Sequence, residues 1–575
     1  MIRLFRYLKP YFWSVMSVML FLFMQAMAEL YLPTLMSEVV NNGMMKGDTG
    51  YIWKYGIYML LVALASSLCA IVSSFISAKV ALALGRDVRS IVFRRVESYS
   101  LHEFDKIGTA SLITRTTNDI NQVQTVLVMG MRFLIYAPIM CIGGVIMALS
   151  KDKSLTLILA VVLPLLVLLI GILAGAVVPL FKSMQKKLDR VNLVLRENLI
   201  GIRVIRAFNR QEIERERFSV TNKELTDTSI KVNKIMAAMQ PIMMVFMNIT
   251  SIAIIWFAGI DISKGRMELG DMMAFLQYAM QIMFSLIMVS IMYVMVPRAQ
   301  ASAARINEVL DMEPGITDCP QSKAADSMRG YVEFRNVIFS YPGAEEPAIK
   351  NISFQAKPGE VTAIIGGTGS GKSTLISLIP RFYDIDSGEL LVDGTDVREM
   401  TQHTLRGKIG FVPQSAVLFT GTVAENISYG RKDASMEEIK HAAEIAQASE
   451  FIANMKDGYE SVIAQGGTNV SGGQKQRLSI ARALVRKPEI YIFDDSFSAL
   501  DFKTDARLRA ALKREMSDST MIVVAQRVST VMDADRIIVL DEGQIVGIGS
   551  HKELLGTCGV YKEIVSSQLS EEEMA

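Results

Sequence analysis

The chain has 575 residues, too many for one hydrophobic core, so more than one domain is expected. Hydrophobic residues make up 51% and charged residues only 21%, and a mean hydropathy of +0.31 calls for surface that faces lipid. The 60 basic and 58 acidic side chains leave a net charge of +2, which excludes nucleic-acid binding through a global positive field.

The first element is amphipathic. Ile2, Leu4, Phe5 and Leu8 alternate with Arg3, Arg6 and Lys9, as in a helix lying in a membrane interface rather than a cleavable signal. Six apolar runs follow, near 12–40, 54–84, 127–149, 154–179, 238–262 and 270–297. Each is long enough to cross a bilayer, which takes about 20 residues. The segments after the second and fourth runs are long, polar and helical in their periodicity, and the latter carries Lys182, Lys186, Lys187, Arg190, Arg203, Arg206 and Arg210. The connections near 41–51, 150–153 and 261–269 are short and hold few basic residues. Both termini, the long segments and the C-terminal half are therefore expected on the cytoplasmic side.

Within the apolar runs, Glu29 stands mid-run, where an ionised carboxylate is costly and commonly functional. It reads either as a substrate-cavity residue or as a partnered carboxylate near the outer leaflet. Arg132, Gln240, Asn248, Gln277 and Gln281 carry the same ambiguity. Methionines cluster at 236–247 and 280–295, where flexible thioethers serve either a promiscuous apolar surface or helix packing. Cys69, Cys141, Cys319 and Cys558 lie far apart and fit a reducing compartment. The four histidines show no ligand spacing, which argues against a metal enzyme.

Residues 305–330, with Pro314, Gly315 and Pro320, are expected to form a linker. Strand signals begin at Tyr331–Phe334. After the apolar strand Val361–Ile365 comes Gly366-Gly367-Thr368-Gly369-Ser370-Gly371-Lys372-Ser373-Thr374, then a helical run from Leu375. This is a phosphate-cradling loop in its required strand–loop–helix context. Glycines let backbone N–H groups converge on phosphates, Lys372 reaches the outer ones, and the Ser373 hydroxyl can ligate a divalent cation. The apolar strand Ile490–Asp494 ends in two carboxylates, Asp494 and Asp495, and the first suits Mg²⁺ coordination. Ser471, Gly472, Gly473 and Gln474 precede the helical run Leu478–Val485, as an N-cap or a second anion-binding surface.

Together these motifs resemble an ATP-binding cassette (ABC) exporter half-transporter, and the resemblance covers nearly the whole chain. Its marks are the phosphate loop, Gln414 in Phe411-Val412-Pro413-Gln414, the Ser471–Gln474 signature, Asp494, and Ser498-Ala499-Leu500-Asp501. The resemblance implies a six-helix, all-α transmembrane domain over 1–304, extended by long cytoplasmic helices. The linker 305–330 would join it to an α/β nucleotide-binding domain over 331–575. It also implies ATP and Mg²⁺ as ligands. Gly366, Gly369, Gly371, Lys372, Ser373 and Thr374 would hold phosphates; Ser373, Gln414 and Asp494 would hold Mg²⁺; Tyr341 would stack on adenine. Two cassettes would pair head to tail, each signature meeting the other cassette's ATP, with Ser498 and Asp501 at the junction. Thr109–Arg115 and Leu199–Phe208 are the expected couplings to the cassettes.

The sequence departs from the family pattern at three places. Most members carry Glu where this chain has Asp495, His where it has Gln526, and often Glu where it has Gln465. A carboxylate one methylene shorter sits about 1.5 Å back, and Gln cannot become imidazolium. The combination resembles the degenerate-site subunit of bacterial heterodimeric multidrug-type exporters. That implies a second half-transporter with intact Glu and His, a hydrophobic or amphipathic drug- or lipid-like substrate, and residence in a bacterial inner or plasma membrane. A slowly turning homodimer, an exporter-fold importer of, for instance, metal chelates, and a regulatory nucleotide-sensing subunit are the competing readings. No cysteine-peptidase domain precedes the first run, which argues against a peptide-maturing exporter.

Overall fold

The computed structural model describes residues 2–319 and 329–568, which divide into two compact units. One comprises Met1–Glu97 and Thr109–Met312, the other Ser98–Gly108 and Glu313–Ala575.

In the first unit, the amphipathic start forms a 3₁₀ helix over Ile2–Tyr11, with Leu4 buried and Arg6 and Lys9 exposed. Six long helices follow. They are α1 (Phe12–Glu38), α2 (Thr49–Glu97), α3 (Ile120–Lys151), α4 (Lys153–Ile200), α5 (Gln211–Ser263) and α6 (Leu269–Asp311). All six are long and apolar enough to cross a membrane. Large apolar side chains such as Ile71, Leu157, Val161 and Trp256 face outward, which lipid tolerates and water does not. Buried small residues, Ser66, Ser73 and Ser77 on α2, let neighbouring helices approach closely. α1, α2, α3 and α6 pack on one another, and α4 packs along α5.

α6 continues to Asp311, so the start of the predicted linker is helical instead. Ala299, Ala303, Ile306 and Val309 recur at helical spacing and are buried, and this packing holds the turn until Pro314. Residues 320–328 of that linker, Pro320 among them, lie outside the described residues. Between α4 and α5, Gly201 breaks the helix, and the short helix Ile202–Ala207 buries nothing. Ile200 and Phe208 at this tip are 80% and 73% exposed.

The second unit contains the helix Leu101–Ile107 from the segment between α2 and α3. Its Glu103 is buried and accepts from Ser100 N (2.8 Å), Ser100 Oγ (2.6 Å) and the backbone of Gly315. These bonds hold its carboxyl below the usual carboxylate range against the opposing effect of burial. Ser98–Gly108 packs within the second unit, and the predicted coupling Thr109–Arg115 belongs to the first. Leu112 is buried there, and Arg115 donates to Arg305 O at 3.1 Å, contacts that tie this stretch to the helix bundle.

Among the described residues, the remainder of the second unit is built on twelve strands. β1 (Val332–Phe339), β2 (Ile349–Ala356), β4 (Ser387–Val392) and β5 (Thr395–Asp396) form an antiparallel sheet in the order β2-β1-β4-β5. The main sheet runs β12-β11-β3-β10-β9-β6. Its strands are β3 (Val361–Gly366), β6 (Ile409–Val412), β9 (Ile490–Asp494), β10 (Thr520–Val524), β11 (Arg536–Asp541) and β12 (Gln544–Gly549). Only the β11–β12 pair in it is antiparallel. β9 and β10 are buried at every position, as parallel strands covered on both faces require. Gly421–Thr422 (β7) and Val462–Ile463 (β8) make a small separate pair.

Candidate active site

The phosphate loop leaves the C-terminal end of β3 and enters α7 (Lys372–Leu378). Two glycines are imposed by packing. A Cβ on Gly366 would lie 2.1 Å from Leu540 O, and Gly371 has φ +97° with Ala348 O only 3.0 Å from where its Cβ would be. Lys372 is buried, and Nζ donates to Gly366 O (2.9 Å) and Gly367 O (2.6 Å). Burial pushes its ammonium pKa down, and Asp495 and Asp494 partly oppose this. A buried cation held by carbonyls of its own loop is poised for a stronger anionic partner.

A cleft of about 750 Å³ opens over this loop. Tyr341, Lys372, Ser373 and Thr374 line it together with Gln414, Asp494, Asp495 and Gln526. Tyr341 donates to or accepts from Thr374 Oγ1 at 3.0 Å, and its ring rests edge-on against Phe339 and Tyr383. Tyr341 is 39% exposed and lines the cleft. Ser373 Oγ donates to Asp494 Oδ1 at 2.9 Å. Burial raises the Asp494 pKa, the Ser373 bond opposes it, and the charge of Asp495 adds to the rise. A hydroxyl and a carboxylate oxygen in hydrogen-bond contact suit a hard divalent cation, and Gln414 lines the same cleft.

Asp495 has φ +44°, a left-handed conformation that Asp tolerates, and its N–H donates to Val524 O at 3.0 Å. That turn aims the carboxylate at two amides. Its Oδ2 accepts from Gln526 Nε2 (3.0 Å) and Gln414 Nε2 (3.3 Å). Burial raises the Asp495 pKa as well.

Because both carboxylates have raised pKa values, the folded state binds protons more readily than the unfolded chain. The nucleotide-free protein therefore gains stability as pH falls toward those values and loses it as the two groups ionise at higher pH. Asp494→Asn, which removes one of the charges, should raise the nucleotide-free Tm by about 2–4 °C at neutral pH. The same change should remove the Tm rise on adding Mg-ATP, and thermal shift of the full chain reads both.

Ser471 caps α8 (Gly472–Val485): its Oγ accepts from Gln474 N at 3.3 Å, and Gln474 Oε1 accepts from Ser471 N at 2.8 Å. The structure thus shows the N-cap; Gly472 at the first helical position is exposed, while Gly473 lies against Ala499 O. Ser471–Gln474 lie outside the cleft. Ser498 Oγ donates to Asp495 O at 2.9 Å, and Asp501 caps α9 (Phe502–Glu515) through Thr504 N at 3.0 Å. Exposed Gln465 begins a tight turn ending at Gly467. The cleft also receives Glu346 and Lys350, paired at 2.9 Å, and Gly543. Glu346 and Gly543 come from ordinary strand connections and Lys350 from the start of β2, so no spacing marked them in the sequence.

Residues 15–286 match the family model for the ABC transporter transmembrane region, and residues 349–498 match the ABC transporter model. An uncharacterized ABC transporter ATP-binding protein of Mycobacterium tuberculosis is 42% identical over 567 residues, 98% of this chain and 97% of that protein. The chain is an ABC transporter. The uncharacterized transporter protein YfiB of Bacillus subtilis is 38% identical over 98% of both chains. An ATP-dependent lipid A-core flippase of Chromobacterium violaceum is 33% identical over 99% of this chain and 97% of its own. The transporter's fold matches that of a bacterial Atm1-family ABC exporter with ATP bound, with TM-score 0.80 and 26% identity over 97% of this chain and 98% of that one. It is thus an exporter half-transporter, a multi-pass membrane protein that binds and hydrolyses ATP.

Proposed function

We propose that this half-transporter is one subunit of a heterodimeric exporter of amphipathic or hydrophobic, drug- or lipid-like compounds. It contributes a degenerate nucleotide site and supplies its signature to a partner's catalytic site. The carrying observation is the double amide clamp on Asp495. A general base must present a free lone pair to water. Here the shortened carboxylate gives one oxygen to Gln526 and Gln414, and Gln526 supplies no cationic donor. Tyr341, Lys372, Ser373 and Thr374, with Gly366, Gly369 and Gly371, hold ATP without that base.

Ser373, Gln414 and Asp494 are the residues that would hold Mg²⁺. Gln414 gives its amide N–H to Asp495 and so keeps its carbonyl oxygen for a metal. Bound there, Mg²⁺ supplies charge neutralisation at the outer phosphates. Ser471, Gly472, Gly473 and Gln474 form an open helix N-terminus that serves the partner's ATP, with Ser498 and Asp501 at the shared junction. The partner is a second half-transporter with intact Glu and His. The bare tip at Ile200 and Phe208 is the surface this reading assigns to a partner cassette. The relatives named above are bacterial proteins, which supports residence in a bacterial inner or plasma membrane; the basic segments after the second and fourth apolar runs support cytoplasmic termini.

The test is Mg-ATP turnover of the chain alone in lipid nanodiscs, with Lys372→Ala as blank. Turnover at the blank level supports the degenerate site; clear turnover above it means a homodimer works with Asp495 as base. A second expectation concerns the tip. Ile200→Asp with Phe208→Asp should leave nucleotide binding to this chain intact while lowering transport by the assembled transporter about tenfold or more.

A further inference from the structure

Beyond β10, residues Ala525, Gln526 and Arg527 lead into a single helical turn, α10 (Val528–Val531). The first N–H groups of a helix have no partner within it, so a cap must come from elsewhere. The residue at the capping position is Arg527, and its side chain makes no cap bond. Its guanidinium donates instead to Ser498 O at 3.1 Å, on the loop after β9. The cap is lent from 40 positions further along the chain: Val528 N donates to Gln568 Oε1 at 2.8 Å. The same side chain donates from Nε2 to Gln526 O at 2.8 Å. One amide thus meets a backbone donor and a backbone acceptor on either side of Arg527, a pairing that needs the adjacent acceptor and donor of Gln.

Packing brings that amide to its place. Gln568 follows α11 (Gly559–Ser566), and its own N–H donates to Val565 O at 3.0 Å. Tyr561 and Val565 of α11 are buried in the same apolar cluster as Ala525, Val528 and Val531. α11 is therefore docked beside the switch segment, with Gln568 against its backbone.

The backbone so held carries two side chains toward the nucleotide site. Gln526 Nε2 donates to Asp495 Oδ2 at 3.0 Å. Arg527 holds Ser498, whose Oγ donates to Asp495 O at 2.9 Å. Gln568 itself lies outside the cleft.

We infer that Gln568 is a positioning residue for the switch: it fixes the backbone at 526–528, and through it holds Gln526 on Asp495 and Arg527 on the loop at Ser498. The inference rests on the reading of Asp495 and Gln526 as the base and switch positions, and adds a residue that governs their geometry. Release of Gln568 loosens both contacts together, because the two side chains leave the same short stretch of backbone.

The experiment is hydrogen–deuterium exchange of the full chain in lipid nanodiscs, read by mass spectrometry of proteolytic fragments. In Gln568→Ala the Val528 amide loses its acceptor, and the fragment that holds it should exchange about tenfold faster or more. The decisive fragment is 495–501, joined to Gln568 through Gln526 and Arg527; it should exchange about threefold faster or more. With Gln526→Ala and Arg527→Ala already in place, Gln568→Ala should still expose Val528 but bring no further change at 495–501. Gln568→Met, which keeps the length of the side chain without its amide, should act as Gln568→Ala does. Unchanged protection of β1 and β3 verifies that each variant is folded. Unchanged exchange at 495–501 in Gln568→Ala, or the same acceleration with both side chains removed, overturns the inference and leaves Gln568 a helix cap alone. Wild-type protection in Gln568→Met overturns it as well. Exchange needs neither partner nor turnover, so failure here leaves the exporter and site readings standing, and failure of the turnover test leaves this result interpretable.

Discussion

In the transporter assembled with its partner, Ser471→Ala should lower Mg-ATP turnover about 10²-fold, whereas Asp495→Ala should lower it less than about twofold. The two residues belong to different composite sites under the proposed arrangement. Asp495 sits in this chain's own cleft, where its Oδ2 is already engaged by Gln526 and Gln414, so little hydrolysis is lost with it. Ser471 lies outside that cleft at the start of α8, the surface that the proposal gives to the partner's nucleotide. Loss of its hydroxyl removes a donor aimed at the outer phosphates and also an N-cap, which by itself costs about 1 kcal/mol of stability. Ser471→Gly removes the hydroxyl at a capping cost of only a few tenths of a kcal/mol, so a variant that stays folded yet slow locates the loss in the chemistry. Equal losses for Ser471→Ala and Asp495→Ala would refute the asymmetric assignment.

The second large effect is a gain. In the chain alone, Asp495→Glu combined with Gln526→His should raise Mg-ATP turnover about 10²-fold, while each single change gives less than about tenfold. Glu extends the carboxylate by about 1.5 Å, beyond the point where the two amides now hold it. His restores a donor that can carry charge near neutral pH. The residues touch at 3.0 Å, so their effects should couple rather than add. Phosphate release in nanodiscs reads the result, and full recovery by Asp495→Glu alone would remove Gln526 from the account.

Much of the molecule was legible as pattern. The six apolar runs become six helices because their length and hydropathy leave no other backbone arrangement in lipid. The phosphate loop sits between β3 and α7 because its glycines occur where Leu540 O and Ala348 O crowd the backbone. β9 reads as a strand because unbroken aliphatic and aromatic residues suit a position covered on both faces. Legibility failed where packing overrides local signal. Residues up to Asp311 stay helical because Ala303, Ile306 and Val309 are buried, though the sequence turns toward Pro and Gly just beyond. The second unit takes in Ser98–Gly108, with Glu103 accepting from the backbone of Gly315, more than two hundred positions away, a contact that no local pattern marks.

The sequence by itself determined the class of the protein: membrane helices, a phosphate loop, a signature, and a carboxylate and switch position that depart from the family. Those features are local, since each depends on residue type at short spacing along one element. The tertiary structure decided what the departures do. The left-handed turn at Asp495 brings amides from positions 414 and 526 onto one carboxylate oxygen. The crossing of α1, α2 and α3 likewise surrounds Glu29 with neutral donors alone. Both outcomes bring together side chains far apart in sequence, Gln414 and Gln526 on Asp495 and Ser66 and Tyr136 on Glu29, within hydrogen-bond reach, which only the packed chain sets.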